Sequence, residues 1–109
     1  MENNKVWLGP DIDNKYPENW KFISRMYRIA NRYRCESCGV DLTAYAHSTT
    51  HGDLLVVHHI NGSHPDVASK NMIVLCKECH SIQPYHKHTV NLTDEEKNLL
   101  VRLRKEQGL

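Results

Sequence analysis

The longest apolar runs in this sequence span only four or five residues, far short of the roughly 20 that a membrane-crossing helix needs. Its opening, MENNKVWLGP, lacks the apolar stretch of a secretory signal, so a reducing compartment is expected. Charge of one sign is also scarce. The net value is +1, which by itself argues neither for nor against a nucleic-acid partner. No internal repeat, low-complexity tract or compositional break marks a boundary, and 109 residues predict a single domain over 1–109. Hydrophobic residues make up 39% of the chain, and a core this modest commonly needs a metal or disulfide staple.

Four cysteines can supply one, as Cys35-x-x-Cys38 and Cys76-x-x-Cys79. Reduced thiols favour metal ligation over disulfides, and two such pairs are a strong signal for a tetrahedral four-cysteine zinc site. Two disulfides are the structural alternative, disfavoured by the tight spacing. A redox dithiol is weaker still, because the second pair adds nothing to it. Four thiolates leave no open coordination position, so the expected role is structural, tying the arm after the first helix to a return strand.

Taken in order, residues 1–17 read as an irregular lead-in with Gly9-Pro10 and Pro17 as breakers. Residues 18–34 read as a basic amphipathic helix. Ile23, Met26, Tyr27, Ala30 and Tyr33 form its apolar face, with Trp20 at the flank. Lys21, Arg25, Arg28 and Arg32 stack on the opposite face. An ordinary solvated face is the bland reading. The only acid between Lys15 and Arg34 is Glu18, which favours a stripe that tracks DNA phosphates. Residues 35–88 hold the zinc pairs and a hairpin, with His47 and His51 read as exposed loop histidines. Leu54–Ile60 is a buried strand, Asn61-Gly62 turns the chain, and Met72–Leu75 returns antiparallel before a helix that begins near Cys79. Thr93 and Glu96 form a capping box that opens a packing helix over 93–107. Leu99, Leu100 and Leu103 give it an apolar face, and Gly108 closes it. Arg102, Arg104 and Lys105 suit its dipole.

The chemistry concentrates in LVVHHINGSHPDVASKNMIVLCKECH. His58 and His59 are neighbours on a strand, so their side chains face opposite ways and serve different ends. One can hold a metal ion while the other, neutral near pH 7, takes a proton from water. Asn71 can fix the base through its side-chain or backbone oxygen.

This stretch resembles the HNH (His-Asn-His) endonucleases, whose core is a ββα-metal hairpin and helix. The tight match covers about a quarter of the chain, and the CxxC pairs extend it from Cys35 to His80. The resemblance implies an α+β fold with flanking N- and C-terminal helices. It assigns His58 and His80 as ligands of a catalytic divalent ion, His59 as general base and Asn71 as the orienting asparagine. Cys35, Cys38, Cys76 and Cys79 hold structural zinc. It further implies single-metal hydrolysis of DNA phosphodiesters, leaving a 5′-phosphate and a 3′-hydroxyl. Some relatives carry another histidine one turn after the His80 position. Here Pro84 stands there, and His86 or His88 is a poor substitute. Two histidine ligands favour Mg²⁺ or Mn²⁺ over tightly held zinc.

The competing expectations are a zinc-stapled nucleic-acid-binding module without chemistry and, last, a structural or interaction protein. The expected partner is DNA, bound by a monomer or homodimer through Lys21, Arg25, Arg28 and Arg32, with weak sequence preference for a monomer. The expected setting is cytoplasmic, in a bacterial cell or phage-infected host, with no membrane association.

Overall fold

The computed structural model describes residues 15–48, 53–83 and 90–109. Gly9-Pro10, His51, Pro84, His86 and His88 lie outside the described residues. The fold is α+β, built on two strands. β1 (Leu55–His59) and β2 (Met72–Cys76) pair antiparallel, with Leu55 opposite Cys76 and His59 opposite Met72. Both strands match the apolar runs to within one residue at each end. At the turn, Gly62 adopts a left-handed φ of 77°, a conformation that costs glycine little.

Partners in this register share a face. Leu55, Val57 and His59 lie with Cys76, Val74 and Met72, and Val56 and His58 lie with Leu75 and Ile73. Helices cover both sides. α1 (Trp20–Ala30) packs on the His59 side, with Trp20 against His59, and α2 (Lys77–Ser81) brings His80 against His58. Leu42, Leu54, Leu75 and Leu100 are fully enclosed, and each such burial stabilises by about 2 kcal/mol. Leu100 comes from α3 (Asp94–Glu106), whose Thr93–Glu96 capping box forms in both directions at 3.0 and 3.1 Å.

Two parts of the α1 reading are corrected. The helix ends at Ala30, not near Arg34, because Arg32 and Tyr33 enter the left-handed region at φ 57° and 54° and reverse the chain. Arg32 therefore leaves the helical stripe, although Lys21, Arg25 and Arg28 share its exposed to half-buried side. The packing face is also rotated. Trp20, Ile23, Ser24 and Tyr27 turn inward, while Phe22, Met26 and Ile29 are 63%, 47% and 45% exposed. A hairpin of two strands is too narrow to cover the whole apolar arc of the helix, so one edge of that arc stays open. α2 begins at Lys77, two residues before the expected start at Cys79, because Cys76 serves as its N-cap.

Candidate functional site

The first centre is built from two tight turns. The sulfurs of Cys35, Cys38, Cys76 and Cys79 all lie within 4.8 Å of one another. Backbone N–H groups of Ser37 and Cys38 point at the Cys35 sulfur, and that of Cys79 points at Cys76, each at 3.4 Å. Such N–H donors stabilise sulfur as thiolate. The hydrogen bond from Cys76, with backbone donors from Cys38, Cys76 and Ser37, overcomes burial and lowers the Cys35 thiol to about 4. Its neighbours are pushed the other way. Cys76 is raised by its hydrogen bond with Cys35 and by burial, because four adjacent thiols cannot all ionise without a cation among them. This donor set could hold a zinc ion with four sulfur ligands. Zinc bound there would supply a closed cross-link with no open position.

Two features of this centre were not legible from spacing. Arg104, read only as a complement to the helix dipole, reaches from α3 to donate to the Cys38 sulfur at 3.2 Å and the Cys76 sulfur at 3.5 Å. It also pairs with Glu78 at 2.8 Å. Glu36, between the first two cysteines, accepts from the Val74 N–H at 2.8 Å while its own N–H donates to the Val74 carbonyl at 2.8 Å. The knuckle thus extends the free edge of β2. Gln107 and the Asp41 backbone exchange two further hydrogen bonds at 2.7 and 2.9 Å, closing α3 over the same knuckle.

Nearby lies an ion cluster whose Lys77 and Glu96 are buried and whose Asp53 is exposed. Lys77 Nζ is 2.9 Å from Asp53 and 3.0 Å from Glu96, joining the start of β1, α2 and α3. Burial pushes the Glu96 carboxyl up, but the Thr93 N–H and the Lys77 ammonium outweigh it and hold it below the usual glutamate range. Burial likewise pushes Lys77 down, and Asp53 and Glu96 more than reverse it.

The second centre holds the histidines. The rings of His58 and His80 meet edge to face with centroids 4.9 Å apart, one from β1 and one from α2. Among the described residues no further His, Cys, Asp or Glu joins them as a third ligand. His59 lies on the other face, only 4% exposed. Trp20 stands 4.8 Å from it, His64 5.2 Å and Tyr16 5.6 Å, centroid to centroid. Its ring bonds to the backbone at His64, and its Nε2 is buried without a hydrogen-bond partner. Burial, followed by the neighbouring His64 and His58, lowers its pKa to about 4, so the imidazole is neutral at pH 7.

Asn71 is buried, but its side chain is directed elsewhere. Its carbonyl accepts from the Asn61 N–H at 2.9 Å and its amide donates to the Asp66 carbonyl at 2.8 Å. Its backbone carbonyl accepts from the Ile60 N–H at 2.8 Å. Asn71 therefore closes the 61–71 loop, and that loop supplies the His64 backbone contact to His59. Tyr27 anchors the same loop from α1 through a 2.6 Å bond to the Val67 carbonyl. Tyr16 and His64 carried no sequence signal beyond a Pro beside each, so neither stood out. Of the expected DNA-contacting residues, Lys21, Arg25 and Arg32 are exposed and Arg28 is half-buried.

Fold and site together define a small α+β unit: a two-stranded hairpin between helices, with a four-cysteine cluster that could bind a metal ion. Over 94 residues the chain is 43% identical to Zorya protein ZorE of Escherichia coli (strain ATCC 8739). The alignment covers 86% of this chain but only 24% of ZorE, so the chain spans about a quarter of the curated relative it matches. No family model matches, and no solved structure matches with significance. No helix among the described residues is long and apolar enough to cross a membrane.

Proposed function

We propose that this chain is an HNH-type, metal-dependent DNA endonuclease unit, corresponding to a quarter-length segment of a ZorE-like protein. The observation that carries this reading is the arrangement of the hairpin and α2. It pairs His58 with His80 at 4.9 Å and directs His59 to the opposite face with a bare Nε2. His58 and His80 would hold a divalent ion, with Mg²⁺ or Mn²⁺ preferred, and two imidazoles leave positions for water and phosphate. Bound there, the ion would supply Lewis-acid stabilisation of phosphate charge. His59 receives the proton of the attacking water at Nε2, and the His64 backbone fixes its ring plane. Asn71 positions that base indirectly, by closing the loop that carries His64. Lys21, Arg25 and Arg28 line one side of α1 and orient the DNA backbone.

The near-complete burial of His59 favours the second reading, a zinc-stapled nucleic-acid-binding module without chemistry. Supercoiled-plasmid cleavage separates the two. Zinc-loaded protein is assayed with Mg²⁺, with Mn²⁺ and without added metal, for wild type and His59→Ala. Metal-dependent nicked or linear product that falls by roughly 10² or more in His59→Ala supports the endonuclease. Retained DNA binding with no cleavage under any condition supports the binding module.

A further inference from the structure

A buried polar atom without a partner is uncommon in a folded protein and calls for a reason. Here the atom is Nε2 of His59, on a ring 4% exposed. What shuts it in is a cluster of aromatic rings. Tyr16 lies flat on His64, with centroids 4.2 Å apart and planes 9° apart, and stacks on Trp20 at 5.0 Å and 24°. Trp20 and His64 in turn flank His59.

The members of this cluster are held very differently. Trp20 is fixed in the first turn of α1 and packs against the core. His64 sits in a loop closed by Asn71, Asp66 and Tyr27. Tyr16 belongs to no helix or strand, precedes Pro17, and remains 46% exposed. Its described contacts are two ring stacks and one tilted ring contact, and its hydroxyl has no hydrogen-bond partner among the described residues. Moving it breaks no backbone ladder and no ion pair among those residues. Trp20 is held by its helix and His64 by a hydrogen-bonded loop, so Tyr16 is the part that can yield.

We propose that Tyr16 is a gate over His59: its ring bridges Trp20 and His64 to keep water and phosphate from Nε2, and its outward swing admits them. The gate rests on the reading of His59 as the proton-accepting group, and it gives the bare Nε2 a purpose. The atom is unpartnered because its partner enters only when the gate is open. Tyr16 is thus an access residue, whose ring stands 5.6 Å from that of His59.

The test is carbethoxylation of His59 by diethylpyrocarbonate in the zinc-loaded full chain, read by tandem mass spectrometry. His47, exposed in a turn, serves as the internal reference. Wild type, Tyr16→Ala and Tyr16→Phe are compared, and the same proteins are assayed for hydrolysis of bis(p-nitrophenyl) phosphate with Mn²⁺. Removal of two ring stacks should raise His59 modification roughly tenfold in Tyr16→Ala. Tyr16→Phe keeps the stacks and should stay within about twofold of wild type. Equal His59 modification in wild type and Tyr16→Ala, relative to His47, overturns the gate whatever the hydrolysis shows. Faster modification with faster hydrolysis supports both the gate and the catalytic reading. Faster modification with no hydrolysis by any variant supports Tyr16 as the cover of His59 and overturns the endonuclease reading instead.

Discussion

The two centres of this small protein use similar numbers of side chains and treat them in opposite ways. Around the cysteines, every direction is filled: four sulfurs within 4.8 Å, three backbone N–H donors, and an arginine bonded to two of the sulfurs. Around the histidines, the arrangement is sparser. His58 and His80 offer two imidazoles, and Nε2 of His59 has no partner. Four sulfurs suit a closed structural cross-link, whereas two imidazoles would suit the catalytic ion proposed above. One 26-residue hairpin and helix, from Leu55 to His80, thus contributes to a four-cysteine cluster on one side and, in the reading proposed above, to a catalytic site on the other. β2 and α2 carry both, since Cys76 and Cys79 face the first centre while His80 faces the second.

The sharpest way to break this contrast is to damage each centre in turn. Cys76→Ser should abolish the folded state, because the binding free energy of a metal held by the four cysteines would be folding free energy; loss of the cooperative thermal melt by circular dichroism would show it. His58→Ala should instead leave the melting temperature within a few degrees while cutting plasmid cleavage by roughly 10² or more. A His58→Ala protein that melts like Cys76→Ser would mean that both centres are structural.

A smaller effect should come from the buried Lys77–Glu96 pair beside the cysteines. Glu96→Gln should destabilise by about 2 kcal/mol in urea unfolding, less than a fully broken buried pair because Asp53 still faces Lys77. The same group sets an acid limit. The folded-state pKa of Glu96 is depressed, so its contribution is complete above the ordinary glutamate pKa and is lost as pH falls through the folded value. Wild-type stability should therefore decline on acidification more steeply than that of Glu96→Gln, as paired urea melts across the acid range would reveal.

The smallest effect concerns the helix that flanks the histidines. Arg25→Ala with Arg28→Ala should weaken DNA binding and reduce the slope of log affinity against log salt by about two, one per lost phosphate contact. An unchanged slope would reduce this side of α1 to a solvated surface.

Much of the framework was legible because it is local. The apolar runs Leu54–Ile60 and Met72–Leu75 predict the two strands to within a residue at each end, since short apolar runs bounded by turn and polar residues read locally as buried strands. Thr93 and Glu96 predict the start of α3 because a capping box is satisfied within one turn. Opposite directions for His58 and His59 follow from strand geometry alone. The α1 reading was less complete. Periodicity placed the helix but not the rotation at which it docks, and Met26 and Ile29 stayed outside because only a narrow hairpin lies beneath. Its end was missed because Arg32 and Tyr33 take a left-handed turn that neither residue type announces.

What the sequence determined by itself is therefore the inventory and its local directions: two CxxC knuckles, a histidine-bearing hairpin, a capped final helix and a basic side on the first. What only the tertiary structure decided is which groups from distant segments meet. Arg104 lies 66 residues from Cys38 and Glu96 lies 19 from Lys77, and Tyr16 reaches His64 from the far side of α1. Spacing within an element is governed by backbone geometry, which a short stretch of sequence carries. Contacts between elements depend on docking angles set by the whole core, and no local pattern encodes those.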